Sequence, residues 1–198
     1  MKHMEYKPFF AALLTLIGMA ASVATLGVRA QNNDDGVRFF TWLSTFNEVP
    51  PKANGAHGTF RAKLSEDGTT LNWTFTWEGL TGPPLVAHIH FGLKGGNYQV
   101  MTFFCGGPNG NPAIPQKHDC PQSTSGMITG TTNAGDIIAL NSNSATTTDQ
   151  ALDSHDFAGF LRALRAGSAY ANMHTTRFPG GEIRGQIAVN HGEPDDEN

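Results

Sequence analysis

The chain is poor in thiols, in basic charge and in the short motifs of common enzymes. Only two of its 198 residues are cysteine, and if these join, no thiol is left as a nucleophile. No serine stands in a Gly-x-Ser-x-Gly turn, which removes the elbow that exposes a catalytic serine. No glycine loop precedes a helical segment, so a phosphate cradle of backbone amides is missing too. Lysine and arginine total 13 against 17 aspartate and glutamate. Without a basic stripe interleaved with aromatics, nucleic acid is not expected as a partner. Paired carboxylates stay open, because their separation in space is not written in the chain order.

Apolar content is ample at 39%, enough for one domain with a real core in a chain too short for two. Residues 1–30 stand apart from that domain. Lys2 and Lys7 precede an apolar run from Phe9 to Val28 that ends in Val28-Arg29-Ala30, the layout of a secretory signal peptide. At roughly 20 residues the run also has the length of a retained membrane anchor. Gly18, Ser22, Thr25 and Gly27 dilute it, and cleavage is the expectation, with membrane contact only if the segment stays. Setting it aside removes three of 13 basic and one of 17 acidic residues, which moves the net charge from −4 to −6. In an exported chain Cys105 and Cys120 most simply form one disulfide, and closing its loop of about 15 residues contributes roughly 3 kcal/mol in the chain-entropy account.

A polar leader over 31–37 precedes the first strand, Arg38 to Phe46, which stops at Asn47-Glu48-Val49-Pro50-Pro51, where prolines lack the donors of a central strand. Gly58 to Leu64 and Leu71 to Trp77 alternate around Glu66-Asp67-Gly68. This predicts a hairpin with Leu71, Trp73, Phe75 and Trp77 inward and a Thr/Asn face toward water. Val86 to Gly92 and Tyr98 to Phe104 are further strands, Gly106 to Gln122 is an irregular excursion, Ser125 to Thr129 a short strand and 131–151 a loop. One helix carries Phe157, Phe160, Leu161 and Leu164 at helical spacing, with Asp153 or Ser154 as cap and Gly167 as terminator. Ala169 to Thr175 and Glu182 to Val189 close the domain, and the acidic tail over 190–198 is expected to be disordered. Short strands with Gly/Pro turns and one helix predict an all-β fold, an antiparallel β-sandwich.

Three histidines carry the chemistry. In Val86-Ala87-His88-Ile89-His90-Phe91-Gly92 the strand period of two turns Ala87, Ile89 and Phe91 inward and displays His88 and His90 together on the other face. A second strand, Tyr170-Ala171-Asn172-Met173-His174-Thr175, offers a third imidazole. Neutral imidazoles from two strands can hold copper or zinc with one position open. In the competing reading His88 and His90 are buried partners of backbone, Glu182 or Asn172. Glu182 and Arg184 share a face of the last strand: either Glu182 orients an imidazole and Arg184 attracts an anion, or the two form a structural ion pair that also involves Glu48. Glu48 itself is read as a structural carboxylate that satisfies turn amides. His57, His118, His155 and His191 lie at turns or ends and receive no role. Asn72-Trp73-Thr74 fits a glycosylation acceptor.

Four separated motifs occur in order: Glu48-Val49-Pro50-Pro51, Ala87-His88-Ile89-His90, Leu164-Arg165-Ala166-Gly167 leading to Tyr170–Thr175, and Pro179-Gly180-Gly181-Glu182-Ile183-Arg184-Gly185-Gln186. Over residues 38–189 this set resembles the CHRD domain family, named for its copies in chordin. The resemblance implies an immunoglobulin-like antiparallel β-sandwich and a secreted, periplasmic or extracellular binding or structural module whose partner is an unknown protein or cell-envelope component. A partial second likeness is to copper,zinc superoxide dismutase. His88-Ile89-His90-Phe91-Gly92, His174 and Gly180-Gly181-Glu182-Ile183-Arg184 look similar to its copper-site pattern, but the zinc loop is matched only by His118 and Asp119. That likeness implies, as the alternative to a module, a mononuclear copper enzyme without the zinc subsite.

Overall fold

The computed structural model describes residues 36–107, 117–140 and 149–190. The segment expected to be a signal peptide, most of the leader, part of the excursion after Cys105, residues 141–148 of the expected loop and the tail beyond Asn190 lie outside the described residues. Nine strands and one helix follow in order: β1 (Arg38–Ser44), β2 (His57–Leu64), β3 (Leu71–Glu78), β4 (Pro84–Phe91), β5 (Val100–Cys105), β6 (Gly126–Thr132), α1 (Phe157–Arg165), β7 (Ala169–Thr175), β8 (Ile183–Gln186) and β9 (Ala188–Asn190). No described helix is long and apolar enough to cross a membrane.

All pairings are antiparallel and join into one sheet of order β5-β4-β7-β8-β1-β2-β3-β6, with β9 beside β1. The all-β expectation therefore holds, and the sheet is nearly closed and barrel-like. Its halves meet at β1 and the end of the chain: β8 touches β1 through the single pair Ser44–Arg184, whereas β9 pairs with Phe40 to Arg38. The final strand expected over Glu182–Val189 is thus two strands, broken at the fully buried Ile187, and Glu182 precedes them. Breaking there lets one segment hydrogen-bond to β7 and the next to β1.

The alternating hairpin forms as its pattern dictates, with Leu64 opposite Leu71 and Ser65 and Asp67 closing the turn at 2.6 Å. Leu71, Trp73, Phe75 and Trp77 are buried. Phe104 of β5 meets them across the interior, its ring 4.7 Å from Trp73, 5.2 Å from Phe60 and 5.4 Å from Phe75. Strands from opposite ends of the sheet therefore share one core. Cys105 and Cys120 are bonded, with Cα atoms 4.9 Å apart.

Other boundaries also differ from expectation, β4 running over Pro84–Phe91 and β5 over Val100–Cys105. The strand expected to reach Phe46 ends at Ser44 in a 3-10 turn over Thr45–Asn47. The cap of α1 is Asp156, whose Oδ1 accepts the Gly159 amide at 2.7 Å; Asp153 and Ser154 lie one turn too early. The strand expected to end at Thr129 runs on as β6 to Thr132, two residues into the expected loop 131–151, and that loop buries Ile137 and Leu140. The apolar run Ile137-Ile138-Ala139-Leu140 is too short, among small polar residues, to show a period.

Candidate metal centre

β4 and β7 lie side by side with His88 opposite Asn172 and His90 opposite Tyr170. Opposed residues share a face, and the period of two adds His174 to it. His174 is paired with Val86, one diagonal step from His88. The His88 ring centroid lies 4.4 Å from that of His90 and 4.7 Å from that of His174. One ring nitrogen from each of the three falls within 4.8 Å of the others. Bonds of 2.0–2.1 Å to a tetrahedral ion would set nitrogens about 3.4 Å apart, closer than the 4.8 Å within which the three lie here.

This face is not wet. His88 is 4% and His90 9% exposed: the Phe103 ring of β5 packs edge-on against His88 at 5.4 Å, Tyr98 of the 92–99 segment lies against His90, and Pro179 of the turn before β8 lies against His174. Two carbonyls from these covers orient the rings: Tyr98 O lies 2.6 Å from His90 Nδ1, and Pro179 O 2.6 Å from His174 Nδ1. A carbonyl only accepts, so Nδ1 carries the proton in both rings and Nε2 presents its lone pair. His174 Nε2 accepts from Asn172 Nδ2 at 3.0 Å. His90 Nε2 and His88 Nδ1 are buried without any hydrogen-bond partner. Orphaned buried polar atoms cost about 1–3 kcal/mol each, and two in one cluster fit a site made for an electrophile.

Burial holds all three imidazoles below their ordinary range. For His88 it does so strongly, with the neighbouring His90 and His174 adding repulsion. His90 is pushed down to about 4 against the opposing bond to Tyr98, and His174 is lowered against the bond to Pro179. The trio is neutral near pH 7, so no proton competes for the lone pairs.

Arg184 is buried. Its guanidinium lies 3.4 Å from the Tyr170 ring centroid and donates to Gly96 O and, at 3.1 Å, to Asn97 Oδ1. The His90 ring stacks on Tyr170 at 4.5 Å; two groups this close to one ring must take its opposite faces. Arg184 Nη1 is also 3.9 Å from Glu48 Oε2, so the cation expected to attract an anion is turned to structure. Burial raises the Glu48 carboxyl, only partly offset by Arg184. Glu182 does not orient an imidazole. Its Oε1 accepts from Asn54 Nδ2 (3.3 Å), Thr81 N (2.9 Å) and Thr81 Oγ1 (2.8 Å), and its Oε2 accepts from Thr175 Oγ1 (2.7 Å). The ion pair expected between Glu182 and Arg184 is not formed; Arg184 faces Glu48 instead, because Glu182 sits ahead of β8 and turns into the Thr81 bend.

Sequence reasoning missed Tyr170, although its position two residues before Asn172 and four before His174 already placed it on the histidine face. It also missed the covering carbonyls, which carry no side-chain signal. Gly181 packs against the same layer: it has φ +114°, and a Cβ there would fall 2.5 Å from Glu48 Oε1. Gly181→Ala is expected to cost about 2–3 kcal/mol, from left-handed backbone strain and the steric clash together. Urea unfolding checks this, and an unchanged midpoint would contradict the packing described.

The CHRD domain family model matches residues 39–187. No curated protein and no solved structure matches the chain.

Proposed function

The chain belongs to the CHRD family, and from that premise we propose that it is a secreted binding or structural module holding one copper or zinc ion on His88, His90 and His174. The immunoglobulin-like description of its β-fold and an N-terminal signal peptide over 1–30 belong to the same proposal. The observation that carries the metal reading is the pair of partnerless buried nitrogens, His88 Nδ1 and His90 Nε2, within a trio whose nitrogens lie within 4.8 Å of one another. Three neutral nitrogen donors suit copper or zinc better than magnesium or calcium, which take oxygen. Bound there, the ion would supply Lewis acidity or, as copper, a one-electron couple. The protein's own part is to orient His90 and His174 through Tyr98 and Pro179 and to exclude water. The module reading is favoured over a copper enzyme of dismutase type because Arg184 is enclosed by Gly96, Asn97 and Tyr170 and does not face incoming anions.

The test is elemental analysis of tag-free protein offered copper and zinc in turn. About one equivalent is expected, falling to background in the His88→Ala/His90→Ala/His174→Ala variant. Background metal in folded wild type would leave the histidines as core partners and end the proposal.

A further inference from the structure

On the opposite half of the sheet, the outer faces of β1, β2, β3 and β6 form a shallow groove of about 1010 Å³. Register builds it in two cross-strand rows. Arg38 faces Lys63, Lys63 faces Asn72 and Asn72 faces Thr131. In the next row Phe40 faces Arg61, Arg61 faces Thr74 and Thr74 faces Thr129. Successive outward residues on a strand are about 7 Å apart, so three cations gather in one patch. None of the lining residues is acidic, although the chain as a whole carries net charge −4. Arg61 lies 5.1 Å over the Phe40 ring, which fixes its head along the groove. Arg61, Lys63 and Asn72 are exposed.

We propose that this groove binds an acidic polysaccharide, with the exposed Arg61 and Lys63 taking its carboxylate or sulfate groups and Asn72, Thr74 and Thr129 taking its hydroxyls. Charge complementarity supplies the attraction, and the amide and hydroxyl ladder matches a polyol. An extended peptide fits this face less well. β1 and β2, which carry the three cations, and β3 are each paired on both sides, and the one free strand edge here, that of β6, lies at the far side of the groove from them. The site lies apart from the histidines and does not depend on a metal there.

The test is calorimetry of the full chain with a polyuronate oligosaccharide, neutral dextran of equal length and poly-glutamate, at low and rising salt. Polyuronate is expected to bind with affinity that falls as salt rises, and dextran not to bind. The Arg61→Gln/Lys63→Gln variant should weaken binding by about tenfold with unchanged thermal unfolding, and Asn72→Lys should tighten it. Absence of polyuronate binding, full retention of it by the double variant, or equal affinity for poly-glutamate would overturn the proposal, the last by making the groove a dock for acidic protein segments.

Discussion

In the presence of a chelator, the unfolding free energy is expected to fall by several kcal/mol between about pH 7 and about pH 4. The cause is the set of three imidazoles, His88 and His90 buried and His174 half-buried. Each has a folded pKa below the ordinary value of 6.5, so the unfolded chain binds more protons in this range and stability rises with pH. The contribution is whole above 6.5 and is lost as pH falls through the folded values, the one for His90 being about 4. That depression alone amounts to about 3 kcal/mol, and His88 and His174 act in the same direction. Glu48 works against them: its raised carboxyl pKa favours the folded state below its unfolded value and loses that contribution as pH rises through its folded one. One opposing carboxyl does not cancel three imidazoles. Urea midpoints across the range test the prediction, and His90→Gln should flatten the profile by about 3 kcal/mol. A level profile in wild type would mean that the trio is hydrated rather than enclosed.

Arg184→Met is expected to destabilise the fold by about 3–5 kcal/mol. The guanidinium and the Glu48 carboxylate are 3% and 1% exposed, and Glu48 Oε1 already lacks a partner. Removing the cation leaves a buried carboxylate that must take up a proton, and it deprives Gly96 O and Asn97 Oδ1 of their donor. The double variant Glu48→Gln/Arg184→Met should recover part of the loss, because no unpaired charge remains. Denaturant unfolding of the two single variants and the double one measures this coupling. Strict additivity would show that Arg184 acts through its stack on Tyr170 and its bonds to the 96–97 backbone, not through Glu48.

Much of this was legible in the residues. The β2–β3 hairpin, the buried face of α1 and the shared display of His88 and His90 all follow from periods of 2.0 and 3.6 with turn residues at fixed offsets. Asn172, expected as a partner of His88 or His90, donates to His174 Nε2, with which it shares a strand face. Glu182 and Arg184 were misread as a facing pair because alternation was continued through a segment where the strand had not yet begun. The helix cap moved from Asp153 or Ser154 to Asp156 because Phe157 N bonds to His155 O and the regular helix opens only afterwards.

By itself the sequence determined the all-β class, the alternating faces, the CHRD pattern of motifs and the two strands that carry the histidines, since each depends on chemistry local to the chain. Only the tertiary structure decided that β4 and β7 are neighbours in the register that sets His88 against Asn172. It alone revealed that Tyr98, Phe103 and Pro179 close over the three rings, and that four separate strands align Arg38, Lys63, Asn72 and Thr131 in one row. Register and cover depend on contacts between residues far apart in the chain, and a one-residue slip would send every one of these side chains to the opposite face.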